Sequence, residues 1–255
     1  LEDLSSYICF SGRKGEGFMI ELKEVNAGYN GEVKVRGANL VFETGQVTSI
    51  LGPNGCGKTT LLNVIARLMR PYSGQLLVDG VDVNTIGKKR YAQMVSILPQ
   101  IRTVPNITVK SLVSHGRFPY LSFPRRLSQD DVEIVEHTME ITGTMSLRNR
   151  YVAELSGGER QKVYMAMVVA QNTDMILLDE PTTFLDIGHQ FEVLNLVRRL
   201  NKEGKTIVMV LHDISHALDF SDKVCLMENG DVRCIGDPKY VFNCGQIDEV
   251  FNVTS

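Results

Sequence analysis

The strongest constraint on this chain is one run: Gly52, Pro53, Asn54, Gly55, Cys56, Gly57, Lys58, Thr59 and Thr60, a full GxxxxGK[ST]. It follows residues 46–51 (QVTSIL), the pattern of a buried strand. It opens residues 59–69, where Leu61, Leu62, Ile65, Leu68 and Met69 recur at helical spacing until Arg70 and Pro71 stop the helix. A strand, a glycine loop and a helix N-terminus in this order cradle a polyphosphate. The glycines let backbone N–H groups turn inward, and the helix end adds partial positive charge. Lys58 is then expected to reach the outer phosphates, and Thr59 to offer its hydroxyl to Mg²⁺.

The rest of the chain alternates around that loop. Residues 19–51 read as short strands with turns, Asn30 and Gly31 forming a tight-turn pair; residues 75–78 read as a strand ending at Asp79 and Gly80. Between 101 and 170 helix signals take over. Ser128 and Asp130 suit a helix cap, with Val132, Val135 and Met139 on the inner face. Strand and helix then alternate again: strand 175–178, helix 188–200, strand 206–211, and a hairpin of 223–227 with 231–235 about Asn229 and Gly230. Strands separated by helices imply a mostly parallel sheet covered on both faces, an α/β fold.

A second acidic signal closes strand 175–178. Asp179 and Glu180 follow four apolar residues, so a buried strand delivers both carboxylates to the sheet's C-terminal edge, where ligands bind in open α/β sheets. Asp179 fits the Mg²⁺ shell, and Glu180 fits the polarising of an attacking water.

A third run lies between these two. Leu155, Ser156, Gly157, Gly158, Glu159, Arg160 and Gln161 read as a helix N-terminus with bare N–H donors, a second phosphate-binding device. With the loop and the Asp-Glu strand it resembles the signature motif of ABC-type ATPases, a likeness that spans nearly all of residues 19–255. The resemblance implies that the signature, Ser156 to Glu159, closes on the nucleotide of a second copy. It implies further roles in order along the chain. Tyr29 stacks on adenine. Gln100 senses Mg²⁺ and water. Leu185 and Asp186 form the D-loop, and His212 contacts the γ-phosphate. The implied fold is a P-loop core over 19–100 and 171–255 with an N-terminal antiparallel β subdomain, and a helical signalling subdomain inserted at 101–170. Residues 1–18, without period, are set apart as an extension or tag-like segment.

A narrower likeness is carried by residues 116–120 (GRFPY), 154–161 (ELSGGERQ), 185–190 (LDIGHQ) and 210–213 (VLHD). It is similar to the ATPases of bacterial importers for ferric siderophores, haem and cobalamin; some molybdate or tungstate importers share it. In such subunits the 116–120 stretch lies where the permease's coupling helix docks, and Arg117 is expected to present its charge there. Two departures stand out. Cys56 replaces the commoner Ser or Ala, as a small filler or a reactive thiol, and Phe184 sits where a small or polar residue is usual.

Composition removes other classes. The 255 residues are 43% hydrophobic and 22% charged with net charge −3, which excludes global disorder and gives no basis for a nucleic-acid surface or a polybasic membrane patch. Five scattered cysteines argue against a disulfide framework or zinc site and fit a reducing compartment. No apolar run approaches a membrane span, and no secretory leader is visible. A soluble ABC ATPase of repair or translation is disfavoured, because there are no long coiled coils and only one cassette. A guanine-reading NKxD is broken by Gly204 after Asn201, Lys202 and Glu203. The expectation is an ATP- and Mg²⁺-dependent importer subunit. It would pair with itself, bind permease subunits at the cytoplasmic face of the membrane, and answer indirectly to an extracytoplasmic binding protein.

Overall fold

The computed structural model describes residues 18–100 and 104–251. Residues 1–17 of the segment expected at 1–18, and the first three residues of the helical stretch, lie outside the described residues. Phe18, the last residue of that expected segment, is buried in the core, and its carbonyl accepts from the Thr44 hydroxyl.

β1 (Ile20–Tyr29) and β2 (Glu32–Phe42) form a hairpin in which Tyr29 pairs with Glu32. Asn30 and Gly31 both take positive φ, 52° and 83°, as a two-residue turn matching strand twist requires. β3 (Val47–Leu51) leads through the glycine loop into α1 (Lys58–Ile65). That helix is shorter than the apolar spacing predicts. Arg67 turns left-handed at φ 55°, and Leu68, expected on the buried face, is 65% exposed. β4 (Ser73–Val78) and β5 (Val81–Asp82) then join the first hairpin in an antiparallel sheet ordered β2-β1-β4-β5.

α2 (Lys88–Ala92) and β6 (Val95–Leu98) precede the helical stretch, which holds α3 (Val109–Ser114), α4 (Gln129–Ile141) and α5 (Gly157–Ala170). Ser128 caps α4 as expected. Its reciprocal partner is Asp131 rather than Asp130, and Val132 is only half-buried while Val135 and Met139 are fully buried. The chain then alternates through β7 (Met175–Asp179), α6 (Ile187–Lys202), β8 (Thr206–Val210) and α7 (Ile214–Phe220). It ends with the hairpin β9 (Lys223–Glu228) and β10 (Asp231–Gly236), then α8 (Pro238–Asn243) and α9 (Gln246–Phe251).

The second sheet runs β10-β9-β3-β8-β7-β6, parallel except for the β9–β10 hairpin. Every residue of β3, β7 and β8 is buried, the mark of a sheet covered on both faces. Alternate residues feed two apolar clusters. Leu51, Ile176, Leu178 and Met209 meet α3, α4, α5 and α6 on one side; Ile50, Leu177, Val208 and Val210 meet α1 and the first sheet on the other. The helical stretch thus shares its apolar cluster with the sheet.

The 116–120 segment departs from expectation. Arg117 does not offer its charge outward: it is 5% exposed and donates from Nε to Asp131 Oδ1 at 2.9 Å and from Nη1 to the Ala170 carbonyl at 2.9 Å. Its guanidinium lies 3.9 Å from the centre of the Tyr120 ring. Gly116 allows this packing, since a Cβ there would sit 2.3 Å from the Met167 carbonyl oxygen. The reason is satisfaction of charge: the guanidinium finds a carboxylate on α4, carbonyls at the end of α5 and the Tyr120 ring of its own turn.

Candidate functional site

Four strand ends of the second sheet meet at one edge and deliver the site. β3 ends in the glycine loop, and β6 leads to Gln100. β7 ends in Asp179 and Glu180, and β8 leads to His212.

The loop is clasped from outside. A Cβ on Gly52 would stand 2.2 Å from the Met227 carbonyl oxygen, and one on Gly57 would stand 2.1 Å from that of Lys34. Gly230 N–H donates to the Cys56 carbonyl at 3.0 Å. The loop is therefore held between β2 and the β9–β10 turn, which fixes where its N–H groups aim. Lys58 is 5% exposed and donates from Nζ to the carbonyls of Gly52 at 2.7 Å and Pro53 at 2.9 Å. Cys56 is buried beneath the loop, and burial pushes its thiol up despite the nearby Lys58 ammonium. Of its two sequence readings, the small filler fits.

Thr59 donates its hydroxyl to Asp179 Oδ1 at 3.1 Å, joining α1 to the end of β7. Burial raises the Asp179 carboxyl and neighbouring Glu180 adds to this, while the Thr59 hydroxyl and Lys58 oppose it. A hydroxyl and a carboxylate side by side at a helix N-terminus are hard oxygen donors of the kind Mg²⁺ takes beside a polyphosphate. These residues fit the ion.

Glu180 is the hub. Its backbone is left-handed at φ 52°, a conformation that costs about 1–3 kcal/mol and clusters at functional sites. Its Oε1 lies 2.7 Å from His212 Nε2. Its Oε2 accepts from Gln100 Nε2 at 2.7 Å and from the Thr183 hydroxyl at 3.1 Å. Three residues scattered across the sequence therefore converge on one carboxylate. Thr183 was not singled out from the sequence; its place three residues past Glu180 was the available signal.

The other candidates lie apart. Tyr29, half-exposed at the end of β1, accepts from Asn63 of α1 at 3.1 Å. Ser156 and Glu159 form a capping box on α5: the Ser156 hydroxyl accepts from Glu159 N–H at 3.3 Å, and Glu159 Oε2 accepts from Ser156 N–H at 2.8 Å. Those bonds from Ser156, with Arg150 adding to them, hold the Glu159 carboxyl below its usual range. Among the described residues, no hydrogen bond joins residues 156–159 to Lys58, Thr59, Asp179, Glu180 or His212. The link runs further along α5, where Gln161 donates to the Pro181 carbonyl at 2.5 Å, next to Glu180.

His189, without a role from sequence, packs against the signature. A Cβ on Gly158 would lie 3.3 Å from its Cδ2. Its Nδ1 is 2.6 Å from Asp186 Oδ2, while Asp186 Oδ1 caps α6 by accepting from His189 N–H. Phe184, between Glu180 and Asp186, is 99% exposed at φ 63°.

The ABC transporter family profile matches residues 35–183. The iron(3+)-hydroxamate import ATP-binding protein FhuC of Bacillus subtilis (strain 168) is 40% identical over 92% of this chain and 88% of its own length. The achromobactin transport ATP-binding protein CbrD of Dickeya dadantii (strain 3937) is 41% identical over the same shares. A bacterial ABC transporter cassette solved as a dimer superposes with TM-score 0.76 at 28% identity, covering 86% of this chain and 98% of that one. With a phosphate loop, an Asp-Glu strand end and a capped signature helix in one chain, and relatives spanning nearly all of it, the chain belongs to the ABC transporter family as one of its ATP-hydrolysing domains.

Proposed function

We propose that this chain is the ATP-hydrolysing subunit of an importer that brings ferric siderophores or related metal chelates through a separate membrane permease. The observation that carries the catalytic part is Glu180, gripped by Gln100, Thr183 and His212 beside the Thr59–Asp179 pair. The cargo class is supported by what the similar proteins are named for, ferric hydroxamate and achromobactin.

On this reading the loop N–H groups and Lys58 bind the phosphates, and Tyr29 supports the base. Lys58 exchanges the Gly52 and Pro53 carbonyls for phosphate oxygens. Mg²⁺, when bound with ATP, would neutralise charge on those oxygens; Thr59, Asp179 and Gln100 are the residues that would hold it. Glu180 takes the proton of the attacking water, and His212 steadies the γ-phosphate. His212 is the one contact on Glu180 Oε1, while Gln100 and Thr183 share Oε2, so Oε1 keeps a lone pair for the proton of the water. Residues 156–159 complete the site of a second copy. The helices of residues 104–170 carry closure to the permease. Among the described residues no helix is long and apolar enough to cross a membrane, consistent with attachment through a partner.

The test is Glu180→Gln. It should keep ATP affinity, lower turnover by at least about 100-fold, and accumulate an ATP–Mg²⁺ dimer on a sizing column. Wild-type turnover would remove Glu180 from its role. Cargo is tested by reconstituting the chain with permease and binding protein: ATP-dependent uptake of a ferric hydroxamate is expected, and uptake of molybdate alone would overturn the chelate assignment.

A further inference from the structure

The described residues hold four free cysteines, of two kinds. Cys56 and Cys225 are buried, at 4% and 0% exposure; burial pushes the Cys225 thiol up to about 12. Such thiols are inert, because the thiolate is the reactive form and a reagent must reach it. Cys234 and Cys244 are only half-buried, and their sulfurs lie 4.0 Å apart.

The two come from different elements. Cys234 sits on β10 opposite Leu226, beside a register shift in the hairpin, and Cys244 closes the C-terminus of α8. The chain between them is held in place. Asp237 caps α8 by accepting from Tyr240 N–H at 2.9 Å, and Pro238 opens the helix. The Tyr240 ring packs onto Gly236, where a Cβ would stand 2.6 Å from its Cδ1. The fold therefore brings the sulfurs together before any bond forms. Cys244 also donates its thiol to the Val241 carbonyl at 3.1 Å. Closing to a disulfide needs the sulfurs to move from 4.0 Å to about 2.0 Å, a shift within reach of a side-chain rotation on a one-turn helix.

We propose that Cys234 and Cys244 form a dithiol site that is oxidised to an intramolecular disulfide by small disulfides such as glutathione disulfide. One cysteine loses its proton, and its thiolate attacks a sulfur of the small disulfide. That S–S bond breaks, and one small thiol leaves with the proton. The second cysteine then loses its proton and attacks the protein sulfur of the mixed disulfide, and the second small thiol leaves with that proton. Two protein thiols are oxidised and one small disulfide is reduced to two thiols. Burial and the adjacent Cys244 push the Cys234 thiol up to about 11, so exchange should quicken as pH rises above neutral. The bond would tie α8 to β10. None of this requires the importer reading, since neither cysteine bonds a residue of the phosphate site.

The test uses the full chain with Cys9→Ser, fully reduced and then exposed to glutathione disulfide at mildly alkaline pH. Intact mass should fall by about 2 Da as two hydrogens leave. Peptide mapping should show Cys234 joined to Cys244, two native-state thiols should be lost to Ellman titration, and dithiothreitol should restore them. The melting midpoint should rise by roughly a few degrees, the expected result of closing a short loop. Cys234→Ser and Cys244→Ser should each abolish the mass loss and carry a single glutathione adduct instead. An unchanged mass, adducts without ring closure in the parent, or a link involving Cys56 or Cys225 would overturn the proposal.

Discussion

Lys58 and Arg117 are both buried cations at 5% exposure, each beside a glycine in a conspicuous stretch of sequence. Their surroundings differ in one respect that separates chemistry from scaffolding. Arg117 faces a carboxylate, a carbonyl at 2.9 Å and a ring, and its charge is neutralised inside the fold. Lys58 Nζ is held by two carbonyls of its own loop. Carbonyl dipoles steady an ammonium without cancelling its charge, and the Asp179 carboxylate near Lys58 makes no hydrogen bond to it. A buried cation whose charge is neutralised supports the fold; one held only by dipoles is ready for an anion.

The largest expected effect breaks the comparison directly. Arg117→Glu puts a carboxylate against Asp131 and strands the Ala170 carbonyl. Breaking a buried pair costs about 3–5 kcal/mol, so thermal or urea unfolding should show loss of most of the chain's stability. Lys58→Ala should cost less, about 1–3 kcal/mol for leaving the Gly52 and Pro53 carbonyls without their donor, while nucleotide binding falls sharply, because a charge-assisted phosphate contact is lost. If Arg117→Glu folds normally and only permease binding suffers, the residue is an interface charge after all.

The pair also predicts a pH response. Burial raises the Asp131 carboxyl, but hydrogen bonds from Ser128 and Arg117 outweigh it and hold it below the usual carboxylate value. A depressed carboxylate contributes stability that is present above its unfolded pKa, about 3.9, and lost as pH falls through its folded value. Asp131→Asn should therefore be less stable than wild type at neutral pH, and the two should converge in acid. A constant gap across pH 2–7 would show that shape, not charge, holds the turn.

These two regions also show what the sequence reveals. The phosphate loop was legible because its chemistry is local: glycines, Lys58 and Thr59 lie within a few positions, and strand and helix flank them. Glu180 was legible for the same reason, at the end of an apolar strand. The grip on Glu180 was only partly so. Gln100 and His212 came from likeness to a family, and Thr183 was missed because a threonine in a turn has no signature. Arg117 was misread because burial is a property of the whole packing: nothing in GRFPY shows that Asp131 and the end of α5 will close over it. The shortened α1 failed for a similar reason, since helical spacing at Leu68 says nothing of Arg67 turning left-handed. Cys234 and Cys244 lie ten positions apart, yet only the turn of α8 shows that they meet.

A smaller effect concerns Gly158 and His189. Gly158→Ala adds a Cβ 3.3 Å from an imidazole pinned to Asp186, so the ring must shift by a few tenths of an ångström. ATP binding by the single chain should not change, because no bond joins this contact to the loop. Nucleotide-dependent dimerisation should weaken by roughly tenfold, a coupling within the usual range for touching residues. Adding His189→Ala should restore part of it; two independent losses would show that the contact is incidental.

The smallest effect expected is at Cys56, and it tests whether closeness to Lys58 suffices to make a group reactive. Its sulfur lies 4.0 Å from Lys58 Nζ and packs where a Cβ on Gly52 would come within 2.7 Å. A nearby ammonium favours a thiolate, but burial disfavours it more, and the net shift is upward. The thiol should thus remain protonated, unreactive and replaceable by a small side chain. Cys56→Ser should hold ATPase activity within about twofold and stability within about 1 kcal/mol, the usual limit for a near-isosteric change. Alkylation with N-ethylmaleimide gives the sharper reading: in the wild type it should label Cys234 and Cys244 well before Cys56, and saturating nucleotide should not alter that order. Rapid labelling of Cys56 with parallel loss of activity would mean that the loop opens often enough to expose it, and that Lys58 activates the thiol when it does.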